Sequence, residues 1–155
     1  MAEPTSAGPV LRNPLAETLR AGRLGISMIV RQVHSVDIAV AANSCGFDAI
    51  NIDLEHSVIP EASAAQICVT ALHAGITPLV RVPSHNPYYA NRILDAGALG
   101  IVAPHVGSAD EAHAIVRACK FAPRGERSVA GSWPTSVFRS GPQPRRAGYS
   151  MKAQW

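Results

Sequence analysis

The chain has 155 residues, of which 47% are hydrophobic and 16% charged, and its formal net charge is +3. This composition is typical of a globular domain with a sizeable core, and it excludes a fibrous or fully disordered protein. No stretch approaches the roughly 20 apolar residues of a membrane span, and no signal peptide is recognisable. Three widely spaced cysteines indicate core positions in a reducing, cytoplasmic setting rather than a disulfide or zinc framework.

The positive charge is confined to the last part of the chain. Residues 1–120 carry eight Lys/Arg and ten Asp/Glu, whereas residues 121–155 carry six Lys/Arg and only Glu126. A basic segment can bind nucleic acid, but this one contains no recognisable binding module. We therefore expect a solvated basic tail, with neither nucleic acid nor a membrane as a partner.

The predicted elements begin after a flexible leader, residues 1–13, that is rich in Pro, Ala, Ser and Gly. A helix is predicted over Pro14–Ala21, with the proline at its first position. The apolar run Leu24–Val30 is predicted as a buried strand. Ser35 is expected to cap the next helix, which Gly46 ends.

Two further strand–helix units follow the same pattern. Ala49–Asp53 is predicted as the second strand, and Pro60–Ala74 as a helix closed by a glycine. Pro78–Val82 is predicted as the third strand. The next helix begins at Asn86-Pro87 and ends before Gly97.

The fourth unit closes the regular part of the chain. Leu99–Ala103 is predicted as a strand, and Ser108 with Glu111 three residues later predicts a capping box on a helix that runs to about Phe121. A structured domain is thus expected over residues 14–130. The segment 131–155 has no hydrophobic period and is predicted to be an irregular tail.

Strand–helix alternation predicts a parallel sheet covered by helices. Two architectures fit this pattern: an open doubly wound sheet and a (β/α) barrel. No G-x-G-x-x-G motif follows the first strand, which weighs against a dinucleotide-binding fold.

Three predicted strand ends carry residue types that are typical of active sites. Asp53 ends the second strand and His56 follows it, Arg81 lies in the third, and His105 follows the fourth. Functional groups of βα proteins collect at these carboxyl ends. An arginine offers a planar fork that suits an α-keto acid, and a histidine beside a carboxylate can move a proton near neutral pH. These four residues form the candidate site.

Other roles are open for the same residues. Asp53 and Glu55 could hold a divalent cation, directly or through water. Arg81 could form a structural ion pair with either carboxylate, and His105 could bond only to the backbone. Glu55 is of a type that serves more often as a salt-bridge partner than as a catalyst.

Five ordered segments carry a resemblance to a known family: Gly46–His56, Leu79–Pro83, Ile93–Pro104, Ser108–Ala112 and Pro123–Ser128. The first contains a D-x-E-H motif, and the second places an arginine in a strand. Each motif alone is weak. The ordered set resembles the HpcH/HpaI aldolase/citrate lyase family over roughly residues 14–131.

The resemblance implies an α/β fold, a partial TIM (β/α) barrel of about four βα units with an irregular C-terminal tail. It implies a lyase that makes or breaks carbon–carbon bonds beside a pyruvate- or oxaloacetate-derived enolate, with Mg²⁺ or Mn²⁺ as cofactor. Arg81 would bind the keto acid and stabilise enolate charge, and His56 with Asp53 would serve proton transfer. His105 is similar to the macrophomate synthase branch, which implies a role in fungal-type secondary metabolism.

The chain departs from the family in length, because family members run to about twice its barrel portion. Their metal ligands, a glutamate and an aspartate, lie on later strands, so no metal ligand is expected here. The change of composition near residue 131 predicts a truncation, an altered reading frame or an unremoved intron. The alternative function is an inactive truncated homologue or a half-barrel partner protein. Two open sheet edges predict a homo-oligomer.

Overall fold

The computed structural model describes residues 11–129. The predicted tail over 131–155 and most of the predicted leader lie outside this range. Within it, the chain forms five helices: α1 (Pro14–Arg20), α2 (Asp37–Ser44), α3 (Glu61–Ala74), α4 (Pro87–Asp95) and α5 (Ala109–Cys119). The same range contains four strands: β1 (Ser27–Val30), β2 (Ala49–Asp53), β3 (Thr77–Arg81) and β4 (Gly100–Val102).

The strands form one parallel sheet in the order β1-β2-β3-β4. Each strand pairs with the next one along the chain after a helix has crossed between them, as in a (β/α) barrel. A doubly wound sheet reverses its strand order at a switch point, and these four strands show no reversal. The prediction of an α/β fold with four βα units of a TIM barrel is therefore confirmed.

The core lies between one face of the sheet and the helices that cross it. Ile50, Ile52 and Val80 point to this face from the two central strands, and all three are fully buried. Ile67 of α3 and Ile93 of α4 belong to the same buried cluster. These β-branched residues suit a strand that helices cover.

Within residues 11–129 the opposite face of the sheet is covered at its amino end, where the Leu15 amide of α1 donates to Thr77 Oγ1, and is open further along the strands. The register pairs Ile29 with Asn51 and Asn51 with Leu79, so these side chains share one face. Val102 lies on the same face because it pairs with Arg81. Ile29 is 58% exposed and Val102 37%. We call this apolar surface, formed by Ile29, Leu79 and Val102, the uncovered face.

The first strand is shorter than predicted and is not buried along its length. It begins at Ser27, where pairing with Ala49 of β2 begins, and not at Leu24. Residues before Ser27 have no strand residue opposite them, and Leu24 is 85% exposed. An apolar run therefore marked the position of β1 but not its extent.

The predicted cap of α2 is wrong. The helix begins at Asp37 with Val36 at the N-cap position and no side-chain cap. The Ser35 hydroxyl donates a hydrogen bond to the Asp37 carboxylate and does not occupy the cap position. The cysteines differ in burial. Cys68 is buried as expected, whereas Cys45, at the C-cap beyond the buried residues of α2, is exposed.

The remaining boundaries differ from prediction by two residues or fewer. α5 ends at Cys119 because the chain turns back there, with the Glu126 amide donating to the Arg117 carbonyl oxygen. Ser108 caps α5 as predicted, accepting from the Glu111 amide at 3.2 Å. The longest helix in the described range, α3, has 14 residues, and none there has the length and apolar character to cross a bilayer.

Candidate active site

The sequence-predicted residues converge at the carboxyl ends of the strands. Asp53 ends β2 and pairs in register with Arg81, which ends β3. Arg31 follows β1 directly, and His105 lies in the loop after β4. We call the set Arg31, Asp53, Glu55, Arg81 and His105 the rim cluster. Its members meet because parallel strands place all their carboxyl ends at one edge of the sheet.

Asp53 is the buried centre of the rim cluster, with a side chain that is 1% exposed. Arg81 binds it as a fork: Nε donates to Oδ1 at 2.9 Å and Nη2 to Oδ2 at 2.6 Å. Arg31 Nε donates to Oδ2 at 2.8 Å. The backbone amides of Glu55 and His56 donate to Oδ1 at 3.0 and 3.2 Å.

These donors explain the electrostatics of Asp53. The hydrogen bond from Arg81 lowers the pKa of the Asp53 carboxyl well below its usual range; burial acts against this, and the backbone amides and Arg31 reinforce it. The group therefore stays ionised at neutral pH. Its oxygens accept from guanidinium and backbone groups, so its observed contacts position arginines rather than an imidazole.

Glu55 bridges the arginine and the histidine sides of the rim cluster. Its Oε1 lies 2.6 Å from His105 Nε2, and its Oε2 lies 3.2 Å from Arg81 Nη1. The Glu55 side chain is 8% exposed, whereas the His105 side chain is largely exposed. A buried carboxylate bound to one ring nitrogen fixes the orientation of the imidazole.

The backbone at His105 is unusual, with a φ of 55°. This left-handed conformation costs about 1–3 kcal/mol for a non-glycine residue and persists only where its surroundings hold it. The preceding Pro104 is buried, and the Glu55 contact holds the ring on the other side.

His56 is less engaged than the other predicted residues. Its side chain is exposed, and its Nε2 lies 3.6 Å from Glu55 Oε2, beyond a good hydrogen bond. Only its backbone amide contacts Asp53. The structure thus brings Asp53, Arg81 and His105 together through Glu55, with His56 at the border of the cluster.

Sequence reasoning missed one residue of this cluster and undervalued another. Arg31 is an arginine at a strand end, the same signal that indicated Arg81, and it directly follows the first strand. Glu55 was expected to be a structural salt-bridge partner. It does pair with Arg81, and it also orients His105.

The rim cluster does not fit a divalent metal. Both oxygens of Asp53 already accept from arginines, and both oxygens of Glu55 face cationic or imidazole nitrogens. Within residues 11–129 no group of three His, Cys, Asp or Glu side chains could hold a metal ion. The open possibility that Asp53 and Glu55 bind a cation directly is therefore not supported by their contacts.

Comparisons with known proteins agree with this architecture. The model of the family HpcH/HpaI aldolase/citrate lyase matches residues 27–138. The chain is 41% identical over 131 residues to "4-hydroxy-4-methyl-2-oxoglutarate aldolase tasA" of Hapsidospora irregularis, covering 84% of this chain and 48% of that protein.

Two solved structures extend the likeness to the fold. An HpcH/HpaI aldolase from Desulfitobacterium hafniense superimposes with a TM-score of 0.76 at 32% identity, covering 81% of this chain and 48% of that one. Macrophomate synthase gives a TM-score of 0.64 at 25% identity, covering 79% and 44%. The chain spans about half the length of the curated relatives it matches. It belongs to the HpcH/HpaI aldolase/citrate lyase family, and its curated relatives include named aldolases, enzymes of the carbon–carbon lyase class.

Proposed function

We propose that this chain carries the keto-acid-binding side of a cytoplasmic aldolase-type lyase acting on a pyruvate- or oxaloacetate-derived enolate. The observation that supports it is the pairing of the Asp53–Arg81 fork with the Glu55–His105 contact at the carboxyl ends of adjacent strands. The proposal extends to a role in fungal-type secondary metabolism, which rests on the resemblance of His105 to the macrophomate synthase branch.

Arg81 is the proposed substrate-binding residue. Asp53 holds its guanidinium in one orientation, and a fixed cation placed where negative charge develops stabilises an enolate without reorganisation. In this scheme Asp53 is a positioning residue for Arg81 and stays ionised throughout.

Proton transfer is assigned to the histidines. His105 is the stronger candidate because Glu55 binds its Nε2 and leaves the rest of the exposed ring facing the rim. His56, which the family resemblance places in the same role, lies close enough to join once a substrate is bound. The family also implies Mg²⁺ or Mn²⁺, whose ligands would have to come from outside residues 11–129.

Oxaloacetate decarboxylation tests this function directly. The purified chain is assayed with and without added Mg²⁺, beside the variant Arg81→Ala. Loss of an oriented charge in the site should lower turnover by about a hundredfold or more. Arg92→Ala, which removes a surface arginine paired with Glu61, is the control and should keep wild-type turnover. Absence of metal-dependent turnover, together with no effect of Arg81→Ala, would rule out the enzyme assignment for this chain.

A second candidate is a non-catalytic role, as an inactive homologue or a half-barrel partner protein. It is favoured by the uncovered face, which exposes apolar side chains on the side of the sheet that carries the rim cluster. This candidate predicts no turnover by the chain alone and binding to a protein that covers that face.

A further inference from the structure

Arg31 and Arg81 both bind Asp53, but they use their guanidinium groups differently. Arg81 commits Nε and Nη2 to Asp53 and directs Nη1 at Glu55, so each of its three nitrogens faces a protein carboxylate. Its side chain is 25% exposed. Such a guanidinium has no complete edge left for a two-bond contact with a ligand carboxylate.

Arg31 has the complementary arrangement. Its Nε is anchored on Asp53 Oδ2 at 2.8 Å, and within residues 11–129 no hydrogen bond or ion pair involves its Nη1 or Nη2. The side chain is 51% exposed. The end of the guanidinium is therefore available, and the Nη1–Nη2 edge is one of the two that bind a carboxylate by parallel hydrogen bonds.

The position of Arg31 relates it to the same ligand space as Arg81. Both donate to one oxygen atom, Asp53 Oδ2, so the two guanidiniums flank a single buried carboxylate. Asp53 is almost inaccessible to solvent, so a ligand would meet the two guanidinium groups and not the carboxylate. Two cationic groups side by side match two carboxylates of one small molecule better than a single carboxylate.

We propose that Arg31 is a second anion-binding residue, which receives the distal carboxylate of a dicarboxylic keto acid and sets a preference over monocarboxylic ones. This inference rests on the proposed keto-acid site and deepens it by naming the substrate class. Arg81 contacts the keto-acid end, and Arg31 binds the far carboxylate through Nη1 and Nη2.

Binding measurements with two stable probes test the proposal. Dissociation constants for 2-oxoglutarate and pyruvate are measured by calorimetry for the wild type, Arg31→Met and Arg31→Lys. Arg31→Met keeps the apolar stem and removes the charge. We expect the ratio of the 2-oxoglutarate to the pyruvate affinity to fall by about tenfold to a hundredfold, the range for a lost charged hydrogen-bond pair. Arg31→Lys keeps the positive charge but not the fork, so its affinity ratio should lie between those of the wild type and Arg31→Met.

Arg92→Met is the matched control. Arg92 is similarly exposed, and its Nε binds Glu61 at the same 2.8 Å that joins Arg31 Nε to Asp53. Its removal should leave both affinities unchanged. Circular dichroism melts check that each variant folds. If Arg31→Met does not fold, the comparison of Arg31→Lys with the wild type tests the proposal.

The outcomes separate the two proposals. An unchanged affinity ratio in folded Arg31 variants overturns the role of Arg31, while pyruvate binding that Arg81→Ala abolishes would leave the keto-acid site standing. Equal loss of both probes in Arg31→Met also overturns it, since Arg31 would then act only by positioning Asp53. Failure of the wild type to bind either probe overturns both proposals.

Discussion

At the scale of single residues, two carboxylates two positions apart take different tasks. Asp53 is closed to solvent and shared between two arginines, whereas Glu55 joins Arg81 to an exposed histidine. The difference follows from geometry: Asp53 ends the strand and points to the rim between β1 and β3, while Glu55 lies in the loop beyond it. A D-x-E motif shows that two acidic residues are present, but it does not show which of them binds the arginines.

The lowered pKa of Asp53 predicts how stability depends on pH. Because the folded-state pKa lies below the unfolded value of about 3.9, the unfolded chain binds more protons in acid. The stabilisation is present above about pH 4 and is lost as the pH falls towards the folded pKa. Urea unfolding between about pH 5 and pH 3 should therefore show a falling free energy of unfolding.

Asp53→Asn should reduce this pH dependence, since the titrating group is gone. Asp110→Asn, at an exposed aspartate in the first turn of α5, is the matched control and should keep the wild-type slope. Equal slopes in Asp53→Asn and the wild type would contradict the assignment.

At the scale of elements, glycines fix where the helices stop and the strands begin. Gly75 follows α3 with a φ of 79°, and the Ile76 amide then donates to the Ala71 carbonyl oxygen, so the chain turns directly into β3. Gly46 performs the same turn between α2 and β2 with a φ of 83°. These junctions are local, which is why the sequence pattern predicts them well.

Gly75→Ala should destabilise the protein by about 1 kcal/mol. No atom lies within 4 Å of the position an added Cβ would occupy, so the cost arises from the left-handed backbone and not from a clash. Urea unfolding measures it. Gly107→Ala, whose Cβ would meet only Glu111 at 3.6 Å and whose φ is ordinary, should change stability by less than about 0.5 kcal/mol. Similar effects at the two glycines would argue against this explanation.

At the scale of the whole molecule, the two faces of the sheet differ. Helices bury the central part of one face, where Met28 and Ile101 of the outer strands are only partly buried, while the other face exposes Ile29 and Val102. β1 and β4 are the outer strands of the sheet within the described range, and each presents unpaired backbone groups on one side. Exposed apolar side chains beside open strand edges favour association with another chain.

We therefore expect the chain to self-associate at micromolar concentration, as light scattering would show. Ile29→Lys places a charge on the uncovered face and should shift the chain towards monomer. Val40→Lys, at an exposed valine on α2, is the control and should not. A monomeric wild type with a cooperative melt would show that the uncovered face is tolerated in solution.

The sequence by itself determined the order of helices and strands, the parallel sheet and the gathering of Asp53, Arg81 and His105 at one edge. These depend on hydrophobic period and glycine breaks, which are local, and on the rule that parallel strands end together. It did not determine the extent of β1, because an apolar run does not show where a neighbouring strand begins to pair with it.

Only the tertiary structure decided which side chains of the site form hydrogen bonds and ion pairs with one another. Arg31 lies 22 positions from Asp53 in the chain, and Glu55 is farther still from Arg81, so no local pattern shows which donors share which oxygen. Which guanidinium nitrogens remain free of protein carboxylates depends on which oxygens the donors share. Arg81 was visible as an arginine in a strand, but that its nitrogens face protein carboxylates while Arg31 keeps an edge free follows from side-chain geometry alone.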